Sequence, residues 1–314
     1  MNSVLPSLAG TSDRCLVMGI LNVTPDSFSD GGRHVSAAAA VEHGLQMTTA
    51  GADIIDVGGE STRPGAGRID AAEEMRRVLP VIRGLARLGV TVSVDTMRAA
   101  VAEAAIGAGA ALINDVSGGL ADSEMARVAA ESDVPWVLTH WRGHSDQMQA
   151  AAVYGDVVSE VRHELLIRVD RAVTSGVRPD RIVLDPGFGF AKKLRHDLAL
   201  LAGIDAIVDT GFPVLVGTSR KRFLGAALVD RDSEARPTSG RDAATLTTTA
   251  LVAKAGAWAV RVHDVAPNAD AVRLVAAAHP TARCTHRSEA LWDKVQNRFE
   301  GPPASVRISR VNYR

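Results

Sequence analysis

One pattern recurs along the chain and constrains its fold more than any other. A helix-like segment ends at a glycine, an apolar run follows, and a polar residue ends the run. Gly51 leads to Asp53-Ile54-Ile55-Asp56-Val57, Gly89 to Thr91-Val92-Ser93-Val94-Asp95, and Gly109 to Leu112-Ile113-Asn114-Asp115. Gly176 leads to Ile182-Val183-Leu184-Asp185, Gly211 to Val214-Leu215-Val216-Gly217, and Gly256 to Ala259-Val260-Arg261-Val262-His263. Pro135-Trp136-Val137-Leu138-Thr139-His140 fits without a preceding glycine. Glycine closes helices because it enters the left-handed conformation without steric cost. Continuous β-branched runs mark strands buried on both faces. With the first run, Leu16 to Leu21, the chain holds eight βα units spaced by roughly 35 residues, the number and size of an α/β fold of the (β/α)8 TIM-barrel type. An open doubly wound sheet is the competing architecture. Eight regular units and no Gly-x-Gly-x-x-Gly after the first strand argue against it.

The 314 residues suit one such barrel, with residues 1–13 as a lead-in and 14–279 as the barrel. Residues 280–314 form a basic extension, partly disordered or docked, with a helix around Glu289 to Phe299 and a break at Pro302-Pro303. The extension carries seven basic residues against three acidic, which leaves the rest of the chain near -5. A whole-chain net charge of -1 offers no case for nucleic acid or an anionic membrane. No apolar run reaches the roughly 18 residues of a membrane helix. Cys15 and Cys284 are far apart, which reads as free thiols in a reducing compartment. The N-terminus lacks the basic flank and apolar core of a signal peptide, so a cytoplasmic location is expected. His279, Cys284 and His286 are too scattered to argue for a metal site.

In a barrel the active site forms at the carboxyl ends of the strands. Those ends hold Asn22, Asp56, Asp95, Asn114 with Asp115, His140, Asp185, the run Ser219-Arg220-Lys221, and Arg261 with His263. Asn22 opens a long polar loop and can offer a carbonyl oxygen to a hard cation or a phosphate. Asp56, Asp95 and Asp185 end apolar strands, where buried carboxylates need partners, and a heterocycle bearing an amino group and a ring N–H supplies them. Lys221 and Arg261 are the competing partners. Arg261 and His263 alternate along one strand and so share a face. Ser219 and Lys221 precede a helix start, a second place for an anion. The ring therefore suits a ligand with a donor-acceptor heterocycle at one end and anions at the other. Which anion goes to which place stays open from these residues alone. The loop Gly58 to Gly65, with Arg63 at its tip, reads as a candidate lid.

Five motifs in order resemble the dihydropteroate synthase family. They are Gly19-Ile20-Leu21-Asn22-Val23-Thr24-Pro25-Asp26-Ser27-Phe28-Ser29-Asp30-Gly31-Gly32 and Asp56-Val57-Gly58-Gly59-Glu60-Ser61-Thr62-Arg63-Pro64-Gly65. Asp185-Pro186-Gly187-Phe188-Gly189-Phe190-Ala191-Lys192, Ser219-Arg220-Lys221-Arg222-Phe223-Leu224-Gly225 and Arg261-Val262-His263-Asp264 complete the set. The similarity spans roughly residues 14–278 and implies a (β/α)8 homodimer that makes dihydropteroate in folate biosynthesis. The family condenses 6-hydroxymethyl-7,8-dihydropterin diphosphate with 4-aminobenzoate, releases pyrophosphate, uses Mg2+ and is the target of sulfonamides. By this resemblance Asp95, Asn114, Asp185 and Lys221 hold the pterin, with Phe190 and Val262 among the substrate-binding residues. Asn22 with Mg2+, and the Arg261/His263 pair, take the diphosphate. Thr62, Arg63, Pro64 and Ser219 border the aminobenzoate, whose carboxylate meets the helix start after strand seven. Asp30 and Phe28 belong to a first loop that folds over the pterin's exocyclic carbon.

Asp197 departs from the family pattern, which often has Asn there, and is expected to cap a helix start, where either residue serves. Two readings compete with the synthase: a corrinoid-linked methyltransferase on a related pterin-binding barrel, and an inactive paralogue that binds pterin. The first has no use for Arg261-Val262-His263 or the Ser-Arg-Lys helix start. Intact Asn22, Asp30, Arg63, Lys221, Arg261 and His263 speak against the second. Arg63→Ala is expected to weaken aminobenzoate use while pterin binding survives. Steady-state kinetics with each substrate varied checks this, and an equal loss of pterin binding would contradict it.

Overall fold

The backbone turns left-handed at each glycine that ends a unit: φ is 108° at Gly51, 78° at Gly89, 111° at Gly109, 96° at Gly176, 88° at Gly211 and 92° at Gly256. The unit without a glycine uses Asp133 in the same way, at φ 53°. The computed structural model describes residues 13–24, 37–60, 69–143, 151–229 and 234–279. Asp30, Phe28, Thr62, Arg63, Pro64 and the whole 280–314 extension, with Cys284 and His286, lie outside them.

Strands and helices alternate along the chain. They run β1 (Leu16–Asn22), α1 (Ala37–Thr49), β2 (Ile54–Gly58), α2 (Ala71–Arg87), β3 (Val92–Asp95), α3 (Ala99–Ala108), β4 (Leu112–Asp115), α4 (Met125–Ser132) and β5 (Trp136–Thr139). They continue with α5 (Val157–Thr174), β6 (Ile182–Asp185), α6 (Leu194–Ala202), α7 (Asp205–Val208), β7 (Leu215–Val216), α8 (Arg222–Ala227), α9 (Asp242–Lys254), β8 (Ala259–Val262) and α10 (Val265–Ala278). The sheet order is β6-β5-β4-β3-β2-β1-β8-β7, and the paired strands are parallel. A parallel bridge between Leu184 and Val214 joins β6 to β7 and closes the barrel. Strand β7 is shorter than the apolar run suggests. Pro213 has no N–H to donate, so the ladder there narrows to that bridge.

Alternation along each strand sorts its side chains into two cores. Leu16, Met18, Ile54, Leu112, Val137, Val183, Leu215, Trp258 and Ala259 form a plug inside the barrel. Register places them at matching heights, Met18 opposite Ile54, Val137 opposite Val183 and Leu215 opposite Ala259. The intervening residues, among them Val17, Ile55, Val94, Leu138 and Val260, pack outward against the helices. Full burial of each Leu or Ile contributes about 1.5–3 kcal/mol. The plug fills the lower barrel and leaves the carboxyl-end mouth to polar groups.

Leu112→Ala opens a cavity in this plug and is expected to cost about 2–5 kcal/mol. Urea unfolding should show a lower midpoint with an unchanged slope. A loss below about 1 kcal/mol would mean the plug is loosely packed.

Candidate active site

Register brings the polar strand ends together. Asn22 lies opposite Gly58, Gly58 opposite Asp95, and Asp95 opposite Asn114, while Thr139 lies opposite Asp185. Arg261 sits lower, opposite Met18, and its long side chain reaches up across β1 to β2 and β3. Its Nε donates to Asp56 Oδ2 at 2.6 Å and its Nη2 to Asp95 Oδ2 at 2.7 Å. Asn114 Nδ2 donates to the same Asp56 oxygen at 2.9 Å. Asp56 Oδ1, Ser93 Oγ and Thr139 Oγ1 are buried without a hydrogen-bond partner. All three belong to inward-facing positions, where a donor-bearing ligand would satisfy them.

Burial raises the Asp95 pKa to about 7, against the pull of the Arg261 charge. It raises Asp185 as well, with Lys221 opposing. Burial lowers Lys221 to about 8, against the attraction of Asp185 and Asp197. For Arg261 burial works against the charge, yet Asp56 and Asp95 hold the pKa above its ordinary value. The mouth thus carries cations and carboxylates that neutralise one another only in part.

At the rim, Ser219 Oγ accepts from His263 N at 3.2 Å and lies 2.9 Å from His263 Nδ1. With two lone pairs the hydroxyl can accept from both, or it can donate to Nδ1, so the pair serves either imidazole tautomer. The following helix, α8, is six residues long and starts at Arg222. Ser219 and Lys221 stand just before it. On the β6 side, Gly187 N donates to Asp185 Oδ1 at 2.7 Å and Lys221 Nζ donates to Phe188 O. Lys221 Nζ also stands 4.5 Å from the Phe190 ring centroid. Phe190 packs against the small cluster of Trp141 and Ala191.

Several strand-end residues take other positions. The Val262 side chain alternates outward into the helix-facing core, so the barrel mouth receives Arg261 and His263 without it. Asp115 turns to its own loop and accepts from Ser117 N at 2.8 Å, Ser117 Oγ at 2.6 Å and Gly119 N at 2.8 Å. Asp197 does not cap α6. It lies inside that helix, and its carboxylate accepts from Gly189 N at 2.7 Å, steadying the β6 loop. His140 is fully buried between Glu164 of α5 and Lys192. The motif position of Lys192 says nothing of where its amine ends, and only the fold brings it to His140.

For a divalent cation, Asn22 offers a side-chain oxygen at the mouth. Its Oδ1 and Asp95 Oδ2 flank Gly58, each 3.5 Å from where a β-carbon would stand. No cluster of three His, Cys, Asp or Glu side chains occurs among the described residues. That donor set fits magnesium, which keeps several waters and takes few protein oxygens when phosphates supply the others.

The family model for pterin binding enzymes matches residues 18–263. The chain is 54% identical over 262 residues to the dihydropteroate synthase of Mycobacterium leprae (strain TN), covering 83% of this chain and 92% of that one. It is also similar to Xanthomonas albilineans dihydropteroate synthase solved with 4-aminobenzoic acid, with 43% identity, a TM-score of 0.77 and coverage of 85% of this chain and 94% of that one. The Xanthomonas albilineans enzyme in complex with 7,8-dihydropteroate gives 41% identity and a TM-score of 0.75 over 85% of this chain and 94% of that one.

Arg261→Met leaves the Asp95 carboxylate buried beside Asp56 without its counter-charge, at an expected cost of about 3–5 kcal/mol at pH 8. The Asp95 pKa, already raised, rises further in the variant, whereas the unfolded value stays near 4. Wild-type Asp95 takes up its proton near pH 7 and the variant at higher pH, so the deficit shrinks as pH falls from 8 to about 7 and is level from there to pH 5, where both folded forms carry the proton. Urea unfolding across this range checks this. A deficit independent of pH would contradict the pairing.

Proposed function

The chain belongs to the dihydropteroate synthase family, and from that premise we propose that it condenses 6-hydroxymethyl-7,8-dihydropterin diphosphate with 4-aminobenzoate to give 7,8-dihydropteroate and pyrophosphate. The observation that carries the reading is the mouth itself. Inward-facing Asp95, Asn114 and Asp185 lie beside unpaired Asp56 Oδ1 and Thr139 Oγ1, and cations Lys221 and Arg261 stand next to them. Such a set binds a flat ring with amino and N–H donors and an anionic arm.

In this proposal Asp95, Asn114 and Asp185 accept from the pterin's donors, and Lys221 with Phe190 holds its face and edge. Arg261 and His263 meet the diphosphate. The bond between the pterin methylene and the bridging oxygen breaks, and its electron pair leaves with pyrophosphate. The resulting methylene cation is delocalised into the electron-rich ring. The neutral amine of 4-aminobenzoate then forms the new C–N bond and loses one proton. Positioning and charge stabilisation do the work, and no covalent protein intermediate is needed. Asn22 would hold Mg2+, which when bound neutralises charge on the departing diphosphate. Ser219, with Thr62, Arg63 and Pro64, is assigned to the aminobenzoate, and Asp30 to the loop over the pterin. A homodimer in the cytoplasm belongs to the same proposal and rests on the family resemblance. No described helix is long and apolar enough to cross a membrane.

Purified protein incubated with both substrates and Mg2+ is expected to release pyrophosphate and form dihydropteroate in equal amounts. Omission of either substrate should abolish product formation. Absence of pyrophosphate release with all components present would refute the synthase and favour an inactive pterin binder.

A further inference from the structure

The β6 loop carries Asp185 and Phe190, and a buried amine holds it from beneath. Lys192 is nearly fully buried. Its Nζ donates to Gly187 O at 2.9 Å and Phe190 O at 3.1 Å, and lies 3.0 Å from His140 Nδ1. In its ammonium form Lys192 has three protons and no acceptor, so these three partners use it fully and His140 Nδ1 accepts; burial lowers its pKa to about 7, against the charge of Asp197, so this holds below that value. The imidazole proton then sits on Nε2, which faces Glu164 Oε2 at 3.0 Å. Burial, and then the Lys192 charge, lower the His140 pKa to about 3, so the imidazole stays neutral and keeps this tautomer. Glu164 is fixed in turn by Arg142.

The two backbones that Lys192 ties together are already in contact. His140 N donates to Asp185 O at 2.8 Å, and a β-carbon on Gly187 would lie 2.1 Å from His140 O. Gly187 has φ 67° and Ala191 has φ 47°, so the loop is bent sharply at both ends of the Lys192 contacts. A left-handed alanine persists only where surrounding bonds hold it. The same Gly187 whose carbonyl meets Lys192 offers its N–H to the Asp185 carboxylate.

We propose that Lys192, oriented by His140 and Glu164, is a positioning residue for the pterin half of the reaction, holding Gly187 and Phe190 so that the Asp185 carboxylate and the Phe190 ring face the pterin. It touches neither substrate and acts through the loop. The assignment rests on the synthase reading for the identity of the ligand. Among the described residues the hydrogen bonds of Lys192 go to the β5 and β6 ends and none joins it to Ser219 or Arg261, so its effect is expected on the pterin side.

Lys192→Met keeps the chain length and removes every donor. In steady-state assays with 6-hydroxymethyl-7,8-dihydropterin diphosphate and 4-aminobenzoate, its KM for the pterin should rise at least about tenfold, with the aminobenzoate KM changed less than about twofold. Lys192→Arg should recover part of the pterin KM. Glu164→Gln, on the partly exposed face of α5, should shift the pterin KM alone by about threefold. Equal rises in both KM values, or an unchanged pterin KM in a folded Lys192→Met, overturn the proposal. If Lys192→Met fails to fold, Glu164→Gln decides by the same criterion. Calorimetric titration of wild type and variants with the pterin diphosphate reads the effect without turnover. A wild type that binds pterin but forms no product therefore defeats the synthase reading and leaves this assignment testable.

Discussion

A guanidinium lying between two buried carboxylates governs the barrel mouth. Asp56 and Asp95 come from neighbouring strands, and both are buried where only a counter-charge offsets the cost of desolvation. Arg261 supplies it because β8 is staggered relative to β1, which sets its Cα low enough for the side chain to pass beneath Asn22. Asn114 completes the cluster by donating to the Asp56 oxygen that Arg261 also uses. Removing Arg261 takes the counter-charge from both carboxylates at once, so the cluster depends on it.

The remaining polar atoms of the mouth are arranged around that cluster. Asp56 Oδ1, Ser93 Oγ and Thr139 Oγ1 carry the cost of desolvation with no protein partner. A ring bearing N–H donors offsets that cost when it binds, which makes the pocket selective for donors over a plain aromatic surface. The apolar plug fills the barrel directly beneath these atoms. Around the rim, Ser219 and His263 orient one another, while the β6 loop is held by Lys192, Lys221, Asp185 and Asp197.

Much of this was legible in residues read one after another. The glycines that end helices could be recognised because φ is a local property, and a position that needs a positive φ selects glycine wherever it occurs. The polar residues closing apolar runs were visible for the same reason. The inward direction of Arg261 and His263 followed from the period of two along a strand. That period also places Val262 outward, although its motif groups it with the two site residues. Asp115 looks like a site carboxylate in the sequence and Asp197 like a helix cap, yet each serves a neighbouring loop, because the N–H groups of Gly119 and Gly189 reach them.

By itself the sequence determined the eight βα units, the end of the barrel that carries chemistry and most of the side chains that line it. Each of these depends on torsions and periodicities that span only a few residues. The tertiary structure alone decided that Arg261 pairs with Asp56 and Asp95, and that Lys192 reaches His140 across a separation of 52 residues. Those contacts depend on the stagger between strands and the closure of the barrel. Both are set by how all eight strands pack around the plug, and no short stretch of chain contains that information.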